Sequence, residues 1–122
     1  MAEELVQFRN LLAGKAVQAE GGWIESYSPS TGKAWGLIPR CSATDVAATV
    51  DVARTAFRSP AWRDLTPTAR GALLYRFADV LEGETERLAL IETRDNGKLI
   101  SEMRSQLSYL PAYYRYFAGL GD

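Results

Sequence analysis

The sequence predicts a mainly α segment, an N-terminal β-hairpin followed by four or five helices. Three observations carry this. Two runs of alternating bulky and polar residues flank Pro29-Ser30-Thr31-Gly32, a turn in which Pro fixes φ and Gly is free to adopt φ > 0. Two helix-start signals follow, Ser42-Ala43-Thr44-Asp45 and Thr66-Pro67. Beyond Pro39, apolar residues recur at steps of three and four, with almost no strand signal.

Taken in order, Glu3 to Leu12 carries Leu5, Phe8, Leu11 and Leu12, a spacing that suits a short amphipathic helix before a strand from Lys15 to Gln18. Gly21-Gly22 breaks the chain. Trp23 to Ser28 alternates as a half-exposed strand does, and Lys33 to Ile38 returns as its hairpin partner, ended by Pro39. Ser42 and Asp45 form a capping box, in which hydroxyl and carboxylate satisfy free backbone N–H groups. Val46, Val50, Ala53 and Phe57 make one apolar stripe on the helix that follows, and Ser59-Pro60 stops it. Thr66-Pro67 restarts with an N-cap and Pro at the first helical position, and Leu73, Leu74, Phe77 and Leu81 are its expected inward face. Gly83 interrupts. Thr85 begins another helix through Leu88 and Ile91, ended by Asn96-Gly97. Leu99, Met103, Leu107, Leu110, Tyr114 and Phe117 form the last stripe, bent or restarted at Pro111.

Composition narrows the functions open to these elements. The 122 residues fit one domain with a modest core, and 47% hydrophobic and 24% charged content is ordinary for a globular protein. Fourteen Lys and Arg against fifteen Asp and Glu offer no electrostatic footprint for nucleic acid or an anionic membrane. No apolar run reaches membrane-spanning length, and Met1 to Ala13 has charges through its middle, unlike a secretory signal. His is absent, which removes Ser-His and Cys-His dyads and His-ligated zinc. A single cysteine excludes an internal disulfide framework, and a cytoplasmic location is expected.

Several segments invite a chemical reading. Cys41 sits between a strand and a capping box, but thiol activity needs surroundings that lower its pKa, and the expectation is no chemical role. The cluster Tyr109, Tyr113, Tyr114, Tyr116 and Phe117 lacks the basic groove of a base-stacking platform, having only Arg104 and Arg115 nearby, and is read as core or interface packing. Arg70, Arg76, Arg87 and Arg94 with Glu82, Glu84, Glu86 and Glu92 read as solvated helix faces with i,i+4 pairs. Gly119-x-Gly121 lacks the strand, third glycine and helix of a dinucleotide fingerprint. Asp95-Asn96-Gly97-Lys98 reads as a helix end with a glycine cap and a lysine complementing the helix dipole.

The stretch AWRDLTPTARGALLYRFADVLEGETERLALIETRDNGKLISEMRSQLSYLPAYYRYFAGLGD, preceded by YSPSTGKAWGLIPRCSATDVAATVDVARTAF, resembles the N-terminal part of NAD(P)-dependent aldehyde dehydrogenases. The resemblance covers nearly the whole chain. It implies an α/β family fold in which residues 1–122 are an incomplete part of the cofactor-binding domain, with helices flanking a parallel sheet that is absent here. It also implies that Phe8 to Leu12 is a strand turning at Ala13-Gly14 into Lys15 to Gln18, so helix and strand compete for that segment.

In the family a cysteine thiolate attacks the aldehyde, hydride passes to NAD(P)⁺ and a glutamate activates the water that releases the acid. The resemblance places that cysteine, that glutamate and the cofactor strands beyond Asp122, so neither NAD nor NADP is expected to bind this chain alone and no catalytic residue is assigned. It further implies a monovalent cation held by Asp95 and by carbonyls of Ser26 and Tyr27, oxygen ligands suited to a hard ion. Ser28 stands where the family usually has Asn. The expected partners are the remainder of the fold or sister subunits, with no nucleic acid or membrane. The competing reading is a small non-enzymatic helical domain that binds a partner subunit.

Overall fold

The computed structural model describes residues 4–120, so Glu3 and Gly121 lie outside the described residues. The chain divides into two compact units, Met1–Arg63 and Asp64–Asp122.

The first unit holds every strand among the described residues: β1 (Val6–Gln7), β2 (Asn10–Leu12), β3 (Lys15–Val17), β4 (Trp23–Tyr27) and β5 (Ala34–Pro39). β4 and β5 are the expected hairpin, paired antiparallel from Trp23 opposite Pro39 to Ser26 opposite Gly36. In its turn the Thr31 and Gly32 N–H groups both donate to the Ser28 carbonyl, and Gly32 takes φ 66°. β1 adds in parallel on the other side of β5. Tyr27 pairs with Ala34 rather than Trp35, so Trp35 is an extra residue on β5 and makes a bulge. The bulge lets Trp35, 5% exposed, bury its ring edge-on to Phe8 with centroids 5.5 Å apart.

The helix expected from Glu3 to Leu12 does not form. Val6–Gln7 is β1, and Asn10–Leu12 pairs with Lys15–Val17 across a two-residue loop in which Ala13 (φ 50°) and Gly14 (φ 76°) are both left-handed. Such a loop matches the twist of a hairpin. A helical run this short is below the roughly 12–15 residues that sustain a helix in water, so strand pairing, of β1 with β5 and of β2 with β3, decides the outcome. Phe8 seals it: its N–H donates to the Leu37 carbonyl, and its ring lies over Gly36, where a Cβ would sit 2.9 Å from it.

α1 (Ala43–Arg58) and the single turn α2 (Pro60–Arg63) complete the first unit. The capping box is present in full, and Ser59 ends α1 as its C-cap. No residue of α1 is buried.

The second unit is three helices, α3 (Pro67–Gly83), α4 (Thr85–Asn96) and α5 (Ile100–Ala118). Thr66 caps α3 through its hydroxyl, which accepts from the Ala69 N–H, with Pro67 following at the first helical position. α5 packs chiefly on α3 and also on α4. The face α3 turns inward is Gly71, Leu74, Ala78 and Leu81; Leu73 and Phe77, expected there, are exposed. Small residues win because α5 approaches closely: a Cβ on Gly71 would lie 2.5 Å from the Ala118 carbonyl oxygen. On α5, Met103 and Pro111 are fully buried, whereas Leu99 and Phe117 at the ends of the expected stripe are exposed. α5 runs on through Pro111 as one helix. The ring of Tyr114 meets Phe77 edge-on at 4.9 Å.

Ion pairs tie α5 to its neighbours. Arg115 donates to Asp79 at 2.7 Å and Glu82 at 2.6 Å on α3, and Arg104 makes a bidentate pair with Glu86 on α4 at 2.6 and 2.8 Å. Glu82 and Glu86 therefore serve cross-helix pairs rather than the expected i,i+4 pairs; Arg87 instead pairs with Glu84. The Glu86 carboxyl is held below its ordinary value, chiefly by its hydrogen bond from Arg104. These pairs are solvent-exposed, so they set register more than they add stability.

Candidate functional site

The Asp95-Asn96-Gly97-Lys98 motif is built as a helix end. Gly97 is left-handed at φ 76° and its N–H donates to the Thr93 carbonyl at 3.0 Å. The Asn96 side chain is engaged at both ends, its amide donating to Glu92 at 2.6 Å and its carbonyl accepting from the Lys98 N–H at 2.9 Å. Asp95 is exposed in the last turn of α4, where a carboxylate opposes the helix dipole.

Ser26 and Tyr27 are neighbours at the end of β4, where the ladder is irregular. They belong to the first unit and Asp95 to the second. The Tyr27 hydroxyl donates to the Glu25 carboxylate, whose hydrogen bond and charge push the phenol above its ordinary value. Ser28 is buried and central to the turn: its N–H donates to the Lys33 carbonyl, and its hydroxyl lies 3.0 Å from that of Ser30. Among the described residues no group of three or more His, Cys, Asp and Glu side chains is arranged to hold a metal ion.

The junction from β5 to α1 is where a strand leads into a helix N-terminus, the arrangement that cradles phosphates. Here it is closed by carboxylates. The Ser42 hydroxyl accepts from the Asp45 N–H at 3.1 Å, while the Ser42 N–H (2.7 Å) and Glu20 N–H (3.2 Å) donate to the Asp45 carboxylate. The Ser42 hydroxyl also lies 3.3 Å from the Glu20 carboxylate. Two carboxylates around one helix start repel an anion, so these residues do not fit a dinucleotide pyrophosphate.

The Asp45 carboxyl is held below its ordinary value, first by the Ser42 N–H; partial desolvation opposes this, and the Ser42 hydroxyl and Glu20 N–H add to the lowering. A depressed folded-state pKa contributes stability above the unfolded value, about pH 4, that is lost as pH falls through the folded value. In Asp45→Asn, α1 is expected to lose helicity at neutral pH and to show a flatter acid-side decline than the parent, read by circular dichroism from pH 7 to 2.

Cys41 is exposed, and the Asn10 side-chain amide lies 3.1 Å from its sulfur. It lines a groove of about 390 Å³ between the β2–β3 hairpin and α1, walled also by Leu11, Leu12, Val17, Val46 and Val50. Of the aromatic cluster, only Tyr114 packs inward; Tyr109, Tyr113, Tyr116 and Phe117 are exposed on α5. The close-approach glycines and the Arg104 and Arg115 pairs are missing from the sequence-based reading. A glycine inside a helical pattern, as at Gly71, is the one signal that marks such a place in advance.

The comparisons with known proteins fit this architecture. The profile of the aldehyde dehydrogenase family matches residues 16–122. A (Z)-2-((N-methylformamido)methylene)-5-hydroxybutyrolactone dehydrogenase of Acinetobacter baylyi is 41% identical over 116 residues, 95% of this chain and 24% of that protein. A 2-aminomuconic semialdehyde dehydrogenase of Mus musculus is 36% identical over 116 residues, 94% of this chain and 23% of that protein. Among solved structures, an NAD-dependent aldehyde dehydrogenase from Sinorhizobium meliloti superposes with a TM-score of 0.89 at 33% identity, over 96% of this chain and 24% of that one. The chain thus spans about a quarter of the length of the relatives it matches. No helix among the described residues is long and apolar enough to cross a membrane. On the family match and the superposed hairpin and helices, the chain belongs to the aldehyde dehydrogenase family, corresponding to the N-terminal quarter of its relatives.

Proposed function

We propose that residues 1–122 serve as the flank of a cofactor-binding domain in an aldehyde-oxidising enzyme. Their role is to cover and brace elements that carry the chemistry. One observation carries this. The chain exposes 8962 Å², whereas a folded monomer of its 13.5 kDa exposes about 6,500 Å². Even two independent units of half that mass would expose only about 7,900 Å². Large apolar side chains are among those exposed, including Val46, Val50 and Phe57 on α1, Phe77 and Val80 on α3, and Tyr109 and Tyr116 on α5. In a family whose members are some four times as long, these are surfaces for the rest of the fold or a sister subunit.

On this reading the whole enzyme works in the cytoplasm and converts aldehydes to carboxylic acids, with NAD or NADP supplying the hydride acceptor when bound. The NAD dependence named for the Sinorhizobium meliloti relative supports that choice of cofactor class. This chain's own residues position rather than react: the Asp45 and Ser42 cap fixes the start of α1, and Arg104 and Arg115 fix α5. Ser26 and Tyr27, through their carbonyls, and Asp95, through its carboxylate at the end of α4, are each offered as oxygen ligands for a monovalent cation, a reading that rests on the family resemblance and on the chemistry of oxygen donors.

Calorimetric titration of the purified chain with NAD⁺ and NADP⁺, beside an NADH-formation assay on a simple aldehyde, tests the assignment. The expected result is no binding heat and no turnover. Saturable binding of either nucleotide would mean that this segment forms a cofactor site by itself, and the flank assignment would fail.

A further inference from the structure

The chain holds two asparagines, and their surroundings differ. Asn10 opens β2 opposite Val17 and is followed by Leu11, whose bulk crowds its own backbone nitrogen. Asn96 ends α4 and is followed by Gly97, which has no side chain to crowd it. Asn96 and Gly97 are both exposed.

Two contacts hold the Asn96 amide over the Gly97 nitrogen. The Lys98 N–H donates to Oδ1 at 2.9 Å, closing a ring of bonds that contains that nitrogen. The Glu92 carboxylate accepts from Nδ2 at 2.6 Å and so fixes which end of the amide faces Lys98. A third contact restrains the pair. The Gly97 N–H donates to the Thr93 carbonyl at 3.0 Å, and Asn96 stays in the last turn of the helix.

We propose that Asn96-Gly97 is a self-modifying joint between α4 and α5. When the last turn of α4 opens, the Gly97 nitrogen attacks the Asn96 side chain, and the asparagine becomes aspartate and isoaspartate. This goes beyond the flank assignment and does not rest on it.

Opening frees the Gly97 N–H, whose proton passes to hydroxide from water. The nitrogen then bonds to the Asn96 Cγ, with the Lys98 N–H facing the oxygen on which negative charge develops. The Cγ–Nδ2 bond breaks, and the nitrogen leaves as ammonia after taking a proton from water. Water opens the cyclic imide that remains. Cleavage between Cγ and the Gly97 nitrogen gives aspartate; cleavage between the Asn96 backbone carbonyl carbon and that nitrogen gives isoaspartate. Net, an amide and a water become a carboxylate and an ammonium ion, with no oxidation.

The product does not rebuild the joint. A carboxylate at position 96 has no proton for Glu92 and stands with Glu92 and Asp95 at a helix end whose dipole disfavours negative charge. Isoaspartate also adds a methylene to the backbone, which displaces the Gly97 N–H from the Thr93 carbonyl.

Incubation of the full chain in neutral buffer, followed by digestion and mass spectrometry of the two asparagine peptides, tests this. Asn96 is expected to convert while Asn10 remains an amide. Conversion is expected to be about two- to tenfold slower in the folded chain than in guanidinium, the factor that one backbone hydrogen bond at a fraying helix end supplies. Thr93→Gly, which loosens that turn, is expected to bring the folded rate close to the unfolded one, with the helices still present by circular dichroism. Hydrogen exchange of the Gly97 amide in the parent reads the same opening, and its protection is expected to match the ratio of the two rates. A folded chain that keeps Asn96 intact while the unfolded chain converts fully overturns the proposal. So do equal rates in the two states, a folded Thr93→Gly chain that converts no faster, or an Asn10 that converts as fast as Asn96.

Discussion

Gly71→Ala is expected to destabilise the second unit by about 1–2 kcal/mol, a sign opposite to that of the helix-propensity rule. In an open helix interior the same change stabilises by about 0.5–1 kcal/mol, because Ala loses less backbone entropy than Gly. At Gly71 the added Cβ would meet the Ala118 carbonyl oxygen at 2.5 Å, an atom of the α5 backbone that no side-chain rotation can move. α3 and α5 would have to separate, loosening the layer of Leu74, Ala78 and Leu81. Gly83 supplies the control. It lies at the end of α3 with nothing within 4 Å of an added Cβ, so Gly83→Ala is expected to be neutral or stabilising. Urea unfolding followed by circular dichroism should show the Gly71→Ala midpoint falling while that of Gly83→Ala holds or rises. If both variants move the same way, the close approach of α5 to α3 is not what fixes Gly71.

Met103→Ala is expected to cost about 2–5 kcal/mol, the range for emptying a buried site that collapses only in part. Met103 is one of the two largest fully buried side chains, and it lies on α5, which packs on both α3 and α4. Leu99, four residues earlier in the same sequence stripe, is 66% exposed. Leu99→Ala is therefore expected to fall within about 0.5 kcal/mol of the parent. Equal losses at the two positions would mean that the stripe is buried along its whole length and that α5 sits differently on its neighbours.

The contrast between Met103 and Leu99 shows where sequence reasoning stops. Periodicity places both on one face, but what covers a face is a tertiary matter. Signals with a local cause were legible: the Pro29–Gly32 turn, the Ser42 and Asp45 box, the Thr66-Pro67 start and the left-handed Gly97 each depend on a few adjacent residues. Two kinds of feature were not. Leu5 to Leu12 carries a helical spacing yet pairs as strands: Val6–Gln7 finds its partner in β5 some thirty residues away, and Asn10–Leu12 folds back on β3 across the Ala13-Gly14 loop. The inward face of α3 was drawn through its large side chains, whereas close helix packing selects Gly71 and Ala78. The candidate site divides along the same line. The Asp95–Lys98 helix end was legible from its glycine, but the closure of the α1 start by Glu20 depends on a residue 22 positions before Ser42.

The measurement that bears most directly on the flank assignment is reconstitution. The Sinorhizobium meliloti relative would be produced without the quarter that this chain matches, and supplied in separate reactions with its own N-terminal quarter or with residues 1–122. The account predicts that its own quarter restores NADH formation, that this chain forms a complex with the same remainder and restores activity at least in part, and that Tyr109 and Tyr116 lose their exposure in that complex. Restoration by the native quarter, with residues 1–122 neither binding nor restoring activity, would contradict it.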